Sequence, residues 1–156
     1  MKKILYTAIF MASLLFSYTM DYDKKTTCVV RNLQVSKSPE WVSKIELTNG
    51  KKIFFSSPKS MFEFYFRPGK WFDIGVKSEE EMKDIVVTDF ATKKPINARG
   101  AFFVYGSTET SPAGDDLVAF EKYDDAKIFA FGHKGKRIFG FNEVKEALIN
   151  LLNGKI

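Results

Sequence analysis

Cys28 and His133 are the only residues of their types in a chain of 156 residues. A thiolate and an imidazole together suit Cu(I) or Zn, and a methionine thioether adds preference for Cu(I). Met20, Met61 and Met82 are the methionines that could supply one. Each residue also has a plainer role. Cys28 can be a small buried apolar residue. His133, next to Gly132, can cap a helix C-terminus, where the dipole favours a cation. Met61 lies in an aromatic helical segment, where core packing is expected, and Met20 ends an apolar leader. Cys28 and His133 come from different halves of the chain, so a site using both would sit where the halves meet.

Other chemistry finds little support. The sequence has no Gly-x-Ser-x-Gly, no phosphate loop and no Gly-x-Gly-x-x-Gly. A catalytic triad would have to use His133, and no local motif places a serine or Cys28 beside it. Asp115-Asp116 and Asp124-Asp125 fall at an expected turn and helix start, both common structural uses of aspartate. The expectation is a binding or transfer protein, not an enzyme. The net charge is +5. Without Lys2 and Lys3 of the leader it is 22 − 19 = +3, too weak and scattered for a nucleic-acid footprint. Lys134, Lys136 and Arg137 read as a solvated basic turn. With one cysteine, no internal disulfide forms.

Lys2 and Lys3 precede an uncharged run, 4–20, which is the pattern of a secretory signal. The run is 17 residues long, short of the roughly 20 a spanning helix needs. Residues 1–20 are therefore expected to be a cleaved signal peptide, with an uncleaved membrane tether as the alternative. Either way the remainder lies outside the cytoplasm, in the periplasm.

The elements that must position Cys28 and His133 follow a repeated plan. Residues 21–27 read as a linker and 28–35 as a short extended stretch. Strands at 42–47 and 51–55 flank Asn49-Gly50, a strong hairpin signal. Ser57-Pro58 starts a helix that stops at Arg67-Pro68-Gly69, and a strand follows at 85–87. The second half reads as a strand at 101–105, a loop at 106–116, a strand at 117–120, a helix capped by Asp124, a strand at 138–141, and an amphipathic helix at 143–153. Phe55, Phe64 and Phe66 align with Phe120, Phe129 and Phe131 at a constant offset of 120 − 55 = 65. The fold class is α+β: two tandem ββαβ units, 28–92 and 93–156, packed together, with a C-terminal helix closing the second.

Several spaced motifs now coincide with one family. The run 87–107 (Val-Thr-Asp-Phe-Ala-Thr-Lys-Lys-Pro-Ile-Asn-Ala-Arg-Gly-Ala-Phe-Phe-Val-Tyr-Gly-Ser) resembles a long signature of NosL, the accessory protein of nitrous oxide reductase. So do the runs 111–114 and 125–135, and Pro39-Glu40-Trp41 with Asn49-Gly50-Lys51 upstream. The resemblance covers about 28–149 and implies an exported, copper-binding protein of two ββαβ units. It implies delivery of Cu(I) to an exported metalloenzyme or a membrane maturation complex, with Cys28 and His133 as ligands. The family often carries Cys-x-x-Cys-Gly-Met before its Pro-x-Trp. Here Cys28 matches the first cysteine, Arg31 stands for the second and Leu33 for the methionine. The family's Pro-Met-Gly is here Pro112-Ala113-Gly114, and a lipoprotein cysteine is missing. The alternative is a metal-free periplasmic interaction protein, docking a respiratory assembly through the aromatic face of 61–66.

Overall fold

The computed structural model describes residues 17–156, so nearly all of the expected leader lies outside the described residues. Among the described residues no helix is long and apolar enough to cross a membrane.

In the first half, Asn49-Gly50 turns the chain between β1 (Ser43–Leu47) and β2 (Lys52–Phe55). The pairing is antiparallel, with Ile45 opposite Ile53 and Ser43 opposite Phe55. β3 (Met82–Thr88) pairs with the other edge of β1, and β4 (Pro95–Asn97) with β3, giving the order β2-β1-β3-β4. The first sheet thus extends past residue 92, to Asn97. In the second half, β5 (Phe102–Ser111) is central between β6 (Gly114–Phe120) and β7 (Arg137–Gly140). In each half the first strand is central, the second pairs on one side, and the strand after the helix pairs on the other. That is the ββαβ plan twice.

Among the described residues there are three α-helices: α1 (Pro58–Phe66), α2 (Tyr123–Gly132) and α3 (Glu146–Leu152). Ser57 Oγ accepts the Ser60 N–H at 3.2 Å and Pro58 occupies the first turn of α1, as the Ser-Pro signal predicts. The 65-residue offset holds in space at two of its three aromatic pairs and fails at the third, where Phe66 packs on the core and Phe131 is exposed. Phe55 and Phe120 end β2 and β6, Ser57 and Lys122 precede the helices, and Phe64 and Phe129 both pack inward.

Five expectations are corrected. The stretch 28–35 is a tight turn between an isolated bridge of Thr27 with Gln34. The expected loop 106–116 is mostly strand, because β5 continues through a bulge to Ser111 and turns only at Pro112-Ala113. Gly114, at φ +86°, takes the left-handed conformation that closes this turn. Asp124 lies in the first turn of α2 and does not cap it; Lys122 precedes the helix with no side-chain cap. The last helix starts at Glu146, because Phe141–Glu143 forms a 3-10 turn in which Glu143 accepts the Gly140 N–H at 2.7 Å. Finally, the aromatic helix turns Phe62 and Phe64 inward and, of its aromatic rings, leaves only Tyr65 and Phe66 partly exposed. Met61, Phe62 and Phe64 are fully buried because α1 lies between β1, β2, β6 and α3. Among the exposed apolar residues are Ile128 at 73% and Phe131 at 94% on α2, and Phe72 at 86% in the segment after α1.

The core forms two clusters, and both draw on both halves. The larger unites Ile45, Phe55 and Phe62 with Phe103, Leu117 and Ile149. The smaller holds Val104, Val118, Phe120 and Phe129 around Trp41 of the first half. The expected linker is docked as well: Asp21 pairs with the buried Lys44 at 3.1 Å and with Lys52.

Candidate metal centre

Cys28 is 1% exposed and belongs to the larger cluster. It opens the turn 28–33, which two backbone bonds close: Cys28 N–H to Leu33 C=O and Asn32 N–H to Cys28 C=O, both 2.8 Å. Asn32 takes φ +56°, a conformation asparagine tolerates better than most residues. Val29 donates to Phe54 C=O at 3.1 Å, tying the turn to β2. The thiol accepts the Arg31 backbone N–H at 3.3 Å. The Arg31 side chain leaves the turn and spans to Ser60 and Glu63 of α1 and to Asn153 just after α3.

The β5–β6 turn is fixed from below by two buried charged residues. Asp116 accepts the Lys59 N–H at 2.7 Å, the Leu117 N–H at 2.8 Å and the Ser111 hydroxyl at 2.6 Å. Burial pushes its carboxyl up despite these donors. The Lys59 ammonium, 2% exposed by residue, donates to Ala113 C=O at 2.7 Å and Leu152 C=O at 3.2 Å. Burial pulls its pKa down. The N-terminus of α1 thereby clasps the turn of one unit and the end of α3.

Leu33 and Pro112 line one surface cleft of about 390 Å³, with Trp41 and Ser111. The 28–33 turn and the β5–β6 turn therefore meet there. The side chains offered are poor for a soft cation. Leucine and alanine have no lone pair and Arg31 is a cation, so Cys28 is the one soft donor of this set. Met61 and Met82 are buried in the core, and Met20 lines a different cleft with Tyr22 and Glu40. Among the described residues no three of His, Cys, Asp and Glu group closely enough to hold a metal.

His133 ends α2 and its N–H donates to Phe129 C=O at 2.9 Å. Its ring stacks on Phe129, centroids 4.2 Å apart, and Nδ1 lies 3.1 Å from Glu109 Oε1. The side chain is half-exposed, beside a cleft it shares with Phe90, Asp125 and Ile128. His133 thus packs on Phe129 of the smaller cluster while Cys28 lies in the larger, and the cleft beside His133 is not lined by Cys28. Glu109 and Lys59 escape the sequence reading, which takes Asp116 only as a turn aspartate. Glu109 and Asp116 fell in the expected loop, and nothing in the local pattern marks Lys59 as buried.

The NosL family model matches residues 19–149. The crystal structure of the copper chaperone NosL from Shewanella denitrificans is similar at TM-score 0.70 and 24% identity, over 84% of this chain and 98% of that one. The solution structure of the apo-NosL protein from Achromobacter cycloclastes is similar at TM-score 0.49 and 22% identity, over 69% and 87%. A comparison with curated proteins returns no match. On the family match, which spans both sheets and all but the end of α3, the chain belongs to the NosL family.

Proposed function

We propose that this is an exported accessory protein that binds Cu(I) through Cys28 and hands it on during maturation of nitrous oxide reductase. It would work in the periplasm, free after cleavage of 1–20 or tethered by it. Family membership and the description of the Shewanella relative as a copper chaperone support the reading. The observation that carries it is the meeting of the Cys28 turn with the β5–β6 turn at one cleft. These are the two segments where the family resemblance puts sulfur ligands. Here one thiol remains, so the site holds copper more weakly than a thiol-plus-thioether site. This reading leaves out His133, whose ring stacks on Phe129 and meets Glu109.

Competition for Cu(I) against a chromophoric chelator, without oxygen, tests this. The native protein should withdraw one equivalent, and Cys28→Ala should withdraw none. Leu33→Met with Ala113→Met should tighten binding by roughly tenfold or more, since each restores a soft donor. His133→Ala should change nothing. Equal curves for the native protein and Cys28→Ala would remove the copper reading. The metal-free docking reading would then replace it, with exposed Ile128 and Phe131 as its surface.

A further inference from the structure

The guanidinium of Arg31 joins three segments that the backbone leaves separate. Nε donates to Ser60 Oγ at 3.3 Å, and Nη2 donates to Glu63 Oε2 at 2.9 Å and Asn153 Oδ1 at 2.6 Å. Asn153 Nδ2 returns a bond to Glu63 Oε2 at 3.0 Å, and Lys155 donates to Glu63 Oε1 at 3.1 Å. Glu63, with a side chain only 12% exposed, is the hub. The same residue that sends out this side chain also donates its backbone N–H to the Cys28 thiol. The turn 28–33 cannot swing outward and keep the guanidinium where it is. An outward swing of the turn that uncovers the thiol therefore also releases Arg31.

We propose that Arg31, Glu63 and Asn153 form a latch that keeps Cys28 closed, and that any reactant reaching the thiol does so only when the latch opens. The purpose of the latch rests on the copper reading above, but its existence does not. A buried thiol reacts through local opening, and the few bonds broken in that opening set its rate. Bonds to charged groups are the stronger kind, so the guanidinium contributes most of the barrier.

The test is the rate at which Ellman's reagent modifies Cys28 in the folded, metal-free protein. Arg31→Met keeps the aliphatic stem and removes the fork, and should react roughly tenfold faster or more. Asn153→Ala removes one partner and should react roughly threefold faster. Two controls should stay within about twofold of native. Arg67→Ala breaks an exposed pair with Glu146, and Ile149→Val loosens the core at α3. Should Arg31→Met fail to fold, the Asn153→Ala rate decides. Native rates in both latch variants overturn the proposal. So does equal acceleration by Ile149→Val, which would mean that the thiol is reached by general unfolding. Loss of Cu(I) competition with the latch rates as expected would sink the copper reading alone.

Discussion

Glu63 and Asp116 are both carboxylates withdrawn from water, and their neighbours send them opposite ways. Burial alone would raise Glu63, but the Lys155 hydrogen bond, the Arg31 charge and Asn153 outweigh it and hold Glu63 below the ordinary range. At Asp116 burial outweighs the donors from Ser111, Ser57 and the two amides, and the carboxyl is raised. The signs for stability follow. Glu63 contributes stability that is present above its unfolded value, about 4.3, and lost as pH falls. Asp116 contributes stability that is present below its unfolded value, about 3.9, and lost as pH rises through its folded value. Glu63→Gln should therefore shrink the fall in melting temperature between pH 7 and about pH 3.5, while Asp116→Asn should enlarge it. Thermal melts followed by circular dichroism at the two pH values check this, and an unchanged fall in both variants refutes it. At this scale the sequence offered residue types without surroundings. Cys28 and His133 were legible as donors because each is unique. That the Arg31 side chain ties the Cys28 turn to Glu63, and that Glu109 meets the His133 ring, depends on contacts 32 and 24 residues apart (63 − 31 and 133 − 109), which no local spacing encodes.

Elements were legible where turn chemistry marks them. Ser57-Pro58 and Arg67-Pro68-Gly69 delimit α1, and Asn49-Gly50 marks the first hairpin, because each needs a particular backbone conformation at a particular position. The outer half of β5 was illegible because Ser107, Thr108, Glu109 and Thr110 lack the alternation of a strand with one dry face. That segment is partly wet on both faces, and a bulge and the Pro112-Ala113 turn hold it. A second hidden constraint lies where α2 meets β7. A Cβ on Gly135 would stand 2.7 Å from Val104 Cγ1, 2.8 Å from Ala130 Cβ and 2.9 Å from Ala130 Cα. The last is helix backbone and has no room to yield. Gly135→Ala should destabilise the protein by about 1–3 kcal/mol. Gly132→Ala, with nothing within 4 Å of the new methyl, should lie within about 0.5 kcal/mol of native or be slightly stabilising. Urea unfolding of the two variants gives the comparison, and equal midpoints would show that the tight packing at Gly135 has no energetic consequence.

Across the whole molecule, the duplication was readable from a constant offset, but the way the halves share their cores was not. A repeat in sequence suggests two bodies, each with its own interior. Here α1 of the first unit places Phe62 5.2 Å from Phe103 and 5.0 Å from Phe141 of the second. In return the first half sends Trp41 into the smaller cluster, and Phe90 donates its N–H to Ala119 C=O at 2.9 Å. Neither half keeps a complete interior without the other, so the two should unfold together. The two tryptophans report on the two clusters separately. Trp41 lies in the smaller, and Trp71 packs on the larger, 5.5 Å from Phe64. Variants carrying one tryptophan each, Trp41→Phe and Trp71→Phe, should each lose fluorescence in a single urea transition. In both backgrounds Phe62→Ala should lower stability by about 3–5 kcal/mol, although Phe62 itself belongs to the larger cluster. If the Trp41 signal kept its midpoint while the Trp71 signal moved, the smaller cluster would be a separate folding unit. The clasp of Lys59 and Asp116 would then be a contact between two bodies. Coincident shifts would make it part of one body, with the Cys28 turn and the β5–β6 turn held in register by the stability of the whole.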